Sequence, residues 1–310
     1  MVNPGDTGTA RQPGRVRRIR WWGIFLIGLG LWILSVLVTA ITGNINTVPS
    51  IVLLGSFLVP VTVIVWYLDH YQSPVLEPQR LLAAFIIGGV LGVLAASVLE
   101  AWLLSDGWFM YVGVGLIEEA VKFAALIGVA WGLTSYRTRD GVVLGATVGM
   151  GFAAFETSGY ALAALLTSTG RPGELSLQGL VFTELLRGIL APVGHGLWTA
   201  ILGGALFAAA SKRNHLRISW GVVWAFVLVV VLHALWDSMH GIAAVLTAIL
   251  TTTPAQQIAI TMGQQVHPTE GQVATFTVIN WGGLIVISII GLAVLWTEWR
   301  RGRARERGPG

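Results

Sequence analysis

Apolar residues run through this chain in long, nearly unbroken stretches, with short polar segments between them. Runs of eighteen or more apolar residues are the signature of membrane-spanning helices. Eight are predicted, at 21–41, 50–68, 81–104, 109–133, 141–167, 179–210, 219–250 and 275–296. Several exceed the roughly twenty residues needed to cross, so tilt, kinks or projecting ends are expected. The expected fold class is all-α: a polytopic transmembrane helix bundle of about eight spans. It divides into a disordered basic arm at 1–20, one transmembrane helical domain at 21–298 with its core at about 109–240, and a basic tail at 299–310. The arm leads into apolar residues as a signal peptide would. That apolar stretch is too long for a signal peptide, and TAITGN after it is a poor cleavage site. It reads as a retained first span with Trp21 and Trp22 at the interface.

Composition agrees with this pattern. The 310 residues are 55% hydrophobic and 11% charged, against about 25% charged in soluble domains. Cysteine is absent, which excludes disulfides, thiol chemistry and cysteine-built zinc sites. The net charge of +4 is no nucleic-acid footprint, because the basic residues lie in short segments beside apolar spans. With the N-terminus inside, sixteen of the nineteen basic residues fall on the inner side and Arg171 alone outside; Lys122 and Arg187 lie within spans. The basic asymmetry therefore predicts that both termini are cytoplasmic. The outer loop at about 251–274 is polar and reads as a linker.

Four consecutive spans carry polar groups that a bilayer disfavours. A charge at mid-membrane costs roughly 2.5–3.5 kcal/mol on insertion scales. The stretch GLIEEAVKF sets Glu118, Glu119 and Lys122 on neighbouring helical positions. GFAAFE sets Phe152 one turn before Glu156, where the ring is expected to pack against the carboxylate stem. The next span holds Glu184, Arg187 and His195, with Pro192 expected to kink it. Glu184 and His195 are expected to share a face, and Glu184 is expected to pair with Arg187. LHALWDSMH sets His233, Asp237 and His240 on one stripe. Counting from the span ends places Glu118, Glu119, Glu156, His195 and His233 within a central slab roughly 10 Å thick. Glu100 is expected to reach the outer interface.

Imidazole nitrogens and carboxylate oxygens suit Zn²⁺. His195, His233 and Asp237 are the expected ligands, with Glu156 an alternative or additional one. A carboxylate of the Glu118–Glu119 pair would then serve as general base towards water, while Lys122 holds the other. The same groups can position water without a metal. His240 and Arg187 are expected to support the site from outside, with Phe152. A proton- or ion-coupled transporter is the rival reading, since it needs the same intramembrane carboxylates and histidines. A third is an inactive relative that binds other membrane proteins.

In order along the chain, EExxK at 118–122, FxxxE at 152–156, the histidine of HGLWTA and HxxxD at 233–237 resemble the PrsW family of bacterial intramembrane proteases. The family is more remotely similar to CAAX prenyl proteases and bacteriocin-processing enzymes. Those have His where this chain has Glu156, and Arg one position beyond Lys122. The resemblance covers about 109–240. It implies peptide-bond hydrolysis in or near the bacterial cytoplasmic membrane, on a membrane-anchored protein substrate of the anti-sigma-factor kind. It implicates Glu118, Glu119, Lys122, Phe152, Glu156, His195, His233 and Asp237. The CAAX relatives favour Glu118 as the base.

Overall fold

The computed structural model describes residues 20–107, 109–167 and 175–306. Residues 1–19 of the arm expected at 1–20, the outer Arg171 and the tail's Arg307 lie outside the described residues. Eleven α-helices follow one another among the described residues: α1 (Trp21–Thr42), α2 (Val48–His70), α3 (Pro78–Ile86), α4 (Gly92–Leu103), α5 (Met110–Ala130), α6 (Thr138–Thr167), α7 (Leu177–Leu190), α8 (His195–Ala210), α9 (Trp220–Thr251), α10 (Pro254–Thr261) and α11 (Glu270–Glu306). An apolar chain in hydrocarbon must satisfy its backbone internally, and the helix does this within one segment. The architecture is an all-α polytopic bundle.

Seven helical stretches are long and apolar enough to cross a membrane, starting at Trp21, Ile45, Pro78, Thr138, Leu177, Trp220 and Glu270. Helix α5 corresponds to the remaining predicted span. Its 21 residues suffice in length, but Glu118, Glu119 and Lys122 interrupt its apolar character. Those three side chains are buried inside the bundle.

Two predicted spans are broken. A π-helical turn at Ile87–Leu91 joins α3 to α4. It lies where Gly88 and Gly89 meet the backbone of α6 at Val148 and Gly151. A 3₁₀ turn at Ala191–Val193 separates α7 from α8. Pro192 lacks an N–H and its ring crowds the preceding turn, so the expected kink is a full break. The shared face expected for Glu184 and His195 is lost with it. The segment expected to be a linker contains α10, closed by a Thr253–Gln256 capping box and tied to α11 through Gln256 and Gln272.

Helix α6 is the buried centre. Its Gly141, Gly145 and Gly149 face the backbone carbonyls of Gly203, Thr199 and His195 on α8, where a Cβ has no room. Small residues one turn apart let two membrane helices approach to backbone contact. This seam fixes α8 lengthwise against α6 and ends at His195. On the other side, Gly115 of α5 lies against Val230, His233 and Ala234 of α9. The core between them contains Leu144, Val148, Leu197, Ile201, Val229 and Leu232.

Candidate active site

The polar groups of α5, α6, α8 and α9 meet in one cluster. Lys122 is fully buried. Its ammonium lies 2.7 Å from Glu119 Oε1, 3.2 Å from Glu118 Oε2 and 2.9 Å from His195 Nδ1. Three donors thus meet three acceptors, and the Phe152 ring centroid lies 4.4 Å from Nζ. Phe152 therefore covers the lysine, where it was expected to pack against the stem of Glu156.

Two histidine–carboxylate pairs flank the lysine. His233 Nδ1 lies 2.9 Å from Glu119 Oε1, and His195 Nε2 lies 3.0 Å from Glu156 Oε2. In each pair the ring N–H donates to the carboxylate, which fixes the tautomer and turns the other nitrogen inwards. The inward nitrogens are His233 Nε2 and His195 Nδ1, each 3.7 Å from Glu118 Oε2. The imidazole rings stand edge to face with centroids 5.2 Å apart. Trp198 stacks on His233 at 4.5 Å and meets His195 edge-on.

Arg187 of α7 completes the cluster. Its guanidinium bonds Glu156 Oε2 at 2.5 Å and Thr157 Oγ1 at 3.0 Å, and it lies over the Tyr160 ring. It does not make the expected pair with Glu184. That carboxylate is buried against α1 and α2, where it accepts a bond of 2.7 Å from Trp32 Nε1 of α1.

A cavity of about 630 Å³ opens onto these groups, lined among others by Glu100, Glu118, Glu156, Arg187, His195 and Asp237. Glu118 borders it; Glu119 is fully enclosed. Glu100, expected at the outer interface and left out of the site, also lines the cavity. The reason is that α4 packs along α5, which turns Glu100 towards the site. His240 is likewise displaced from its expected supporting role. It packs edge-on against Phe276 of α11 at 4.9 Å, two turns beyond His233.

The donor set accommodates a metal ion. One atom each from Glu118, His195 and His233 lies within 4.8 Å of the others, and N₂O donors suit zinc. Asp237, the expected third ligand, lies outside that trio, with Oδ2 at 3.3 Å from His233 Nε2. With Nδ1–H donating to Glu119, the His233 Nε2 lone pair faces carboxylate oxygens of Glu118 and Asp237. That arrangement calls for a cation between them, either a proton on the ring or a metal. Overall charge points the same way: among the described residues, Glu118, Glu119, Glu156 and Asp237 face only Lys122 and Arg187 as permanent cations. A metal on Glu118 and His195 would replace two of the three lysine contacts and leave the one to Glu119.

Sequence patterns missed Trp198 and Glu100, and gave Arg187 the wrong partner. The G-x-x-x-G-x-x-x-G run at 141–149 was the available signal for the α6–α8 contact and hence for Trp198.

No solved structure matches this chain. Protease PrsW of Halalkalibacterium halodurans is 29% identical over 162 residues, covering 50% of this chain and 67% of that protein. The model of the "PrsW family intramembrane metalloprotease" matches residues 77–262. That range, more than half of the chain, runs from the start of α3 to the end of α10 and includes every residue of the cluster. Four helices of this family's region thus carry the carboxylates, lysine and histidines to one cavity, and the chain belongs to the PrsW family of intramembrane proteases.

Proposed function

We propose that this chain cleaves a peptide bond of a membrane-anchored protein, in or near the bilayer, with water activated by Glu118. The observation that carries this is the position of Glu118. It is the carboxylate of the adjacent pair that borders the cavity, and its Oε2 lies between the inward nitrogens of His195 and His233.

Each neighbour has a part in this reading. Glu119 is committed to Lys122 and His233, so it positions and does not exchange protons with substrate. Lys122 holds Glu118 and His195 in place. Glu156 orients His195, and Arg187 in turn holds Glu156. Water in the cavity gives its proton to Glu118 as it attacks the carbonyl, and Glu118 returns the proton to the leaving amine. His195 and His233 would hold a Zn²⁺ ion, with Asp237 as the oxygen donor that leaves Glu118 free. The ion would supply Lewis acidity and lower the pKa of bound water. Glu118 is itself close enough to be that third donor, so metal content decides between the two. Glu118→Gln keeps the metal if Asp237 is the ligand, whereas Asp237→Asn loses it. Retention in Asp237→Asn and loss in Glu118→Gln would reverse the assignment.

The wider placement follows the same reading. Eight crossings, with α5 as the fourth, would leave both termini on one side of the membrane, and the basic residues of the inner segments support the cytoplasmic side of a bacterial membrane; the catalytic core is taken as 109–240 within a domain at 21–298. The relative's printed name, a protease, supports the reaction class. An anti-sigma-like single-span protein is the substrate type to try first. The test is purified full-length protein in liposomes with a fluorogenic single-span reporter. Cleavage within or beside the reporter's span supports the reading. Proton or solute movement without any cleavage would favour a carrier.

A further inference from the structure

A second built cavity lies at the other end of α8. It has a volume of about 830 Å³ and is bounded by the C-terminal ends of α8 and α11 and the N-terminal ends of α6 and α9. All four helix ends belong to one end of the bundle. Four basic side chains line it: Lys212 and Arg217 from the α8–α9 connection, and Arg301 and Arg305 from successive turns of α11. Among the described residues, no ion pair engages Lys212, Arg217 or Arg305. Glu298 is the one acid lining the cavity, packed against Gly204 with Oε2 buried and unpartnered among the described residues. It leaves the cavity with a positive surplus.

The cavity also has apolar and dipolar components. Ala205, Ala208 and Val223 line its wall. Ile218 and Trp220 stand beside it, 64% and 79% exposed, as side chains do where bilayer meets water. The first turn of α9 opens onto it, and the Ser219 side chain makes no cap bond there. That leaves the first N–H groups of α9 without a side-chain cap, as an anion-binding helix start requires. Basic groups at the water side and apolar groups at the lipid side describe an amphiphile.

We propose that this cavity binds the phosphodiester headgroup of an anionic phospholipid, with the glycerol and acyl portions against Ile218 and Trp220. Lys212, Arg217, Arg301 and Arg305 engage the phosphate. The occupant ties the end of α8 to α9 and α11. These are the helix that begins with His195, the helix that carries His233, and the peripheral helix packed on both. The site needs no catalytic role for the cluster described above, and its test reads bound lipid.

Full-length protein in neutral detergent is titrated with dioleoyl phosphatidylglycerol, with dioleoyl phosphatidylcholine and with inorganic phosphate, and bound lipid per chain is counted by native mass spectrometry. The expected result is one phosphatidylglycerol held at least tenfold more tightly than phosphatidylcholine and not displaced by phosphate. At about 1 kcal/mol for each basic residue near a headgroup, Arg217→Gln weakens it about fivefold and the triple change at 217, 301 and 305 on the order of 100-fold. Arg300→Gln is the control, because that guanidinium lies over Trp296 and does not line the cavity. Glu298→Gln tightens binding. Should the triple variant not fold, Arg217→Gln and a salt titration of the wild type carry the test, since raising salt weakens phosphatidylglycerol and spares phosphatidylcholine. Equal affinity for the two lipids, undiminished binding in the folded triple variant, or displacement by inorganic phosphate would each overturn the proposal.

Discussion

The two histidine–carboxylate pairs make the same bond in opposite settings. Glu119–His233 joins α5 to α9 in the middle of two continuous helices, with side chains 0% and 2% exposed. Glu156–His195 joins α6 to the first residue of α8, at a helix break, with side chains 16% and 13% exposed. The first pair is sealed by Lys122 and Trp198. The second borders the cavity and is held from outside by Arg187. One half of the cluster is thus enclosed and the other borders the cavity, with Glu118 between them. The same bond is enclosed in one place and open to the cavity in the other.

Substitutions on the two sides should separate stability from turnover. The largest effect is expected on the sealed side. Lys122→Met leaves Glu119 buried without its cation and should cost about 3–5 kcal/mol of stability, read as a collapse of the unfolding midpoint in detergent. A variant of wild-type stability would show that Glu119 is not held by charge. On the open side, His195→Gln should lower turnover by about 10²–10⁴-fold and change stability by no more than about 1 kcal/mol. Comparable losses of stability from both changes would erase the distinction.

Smaller changes sharpen the comparison. Gly149→Ala places a methyl group against the His195 carbonyl. Overpacking of this kind costs about 1–3 kcal/mol, and the shift of α8 should also reduce cleavage. An unchanged enzyme would mean that the α6–α8 seam does not position His195. Arg187→Gln should reduce turnover about tenfold, equivalent to about 1.4 kcal/mol. Arg187→Lys should restore only part of it, because an ammonium cannot reproduce the guanidinium contacts to Glu156 and Thr157. Full rescue by lysine would reduce Arg187 to a point charge.

The bundle and the convergence of its four middle helices were legible in the sequence, because a charge in an apolar run signals an unusual environment. EExxK and HxxxD also carried their own geometry: both lie within continuous helices, so i,i+3 and i,i+4 spacing sets the faces. Legibility failed where the backbone departs from a regular helix. Counting turns through Pro192 put Glu184 and His195 on one face; the break put them on different sides of α7 and α8. The partner of Arg187 depends on the packing of α7 against α6, which local spacing does not encode. Glu100 was left out of the site for a similar reason. Depth along a span gives its height in the membrane, but the neighbouring helix decides whether it faces lipid or cavity. The HxxxD motif offers Asp237 as an oxygen donor, and the compact trio adds Glu118 from another helix, a juxtaposition that local spacing does not signal.

The most direct test of the account is the turnover of purified Glu118→Gln on the single-span reporter, beside wild type, with folding checked by the unfolding midpoint. The account predicts a folded protein whose cleavage falls by about 10²–10⁴-fold. A folded Glu118→Gln protein that cuts at the wild-type rate would contradict it.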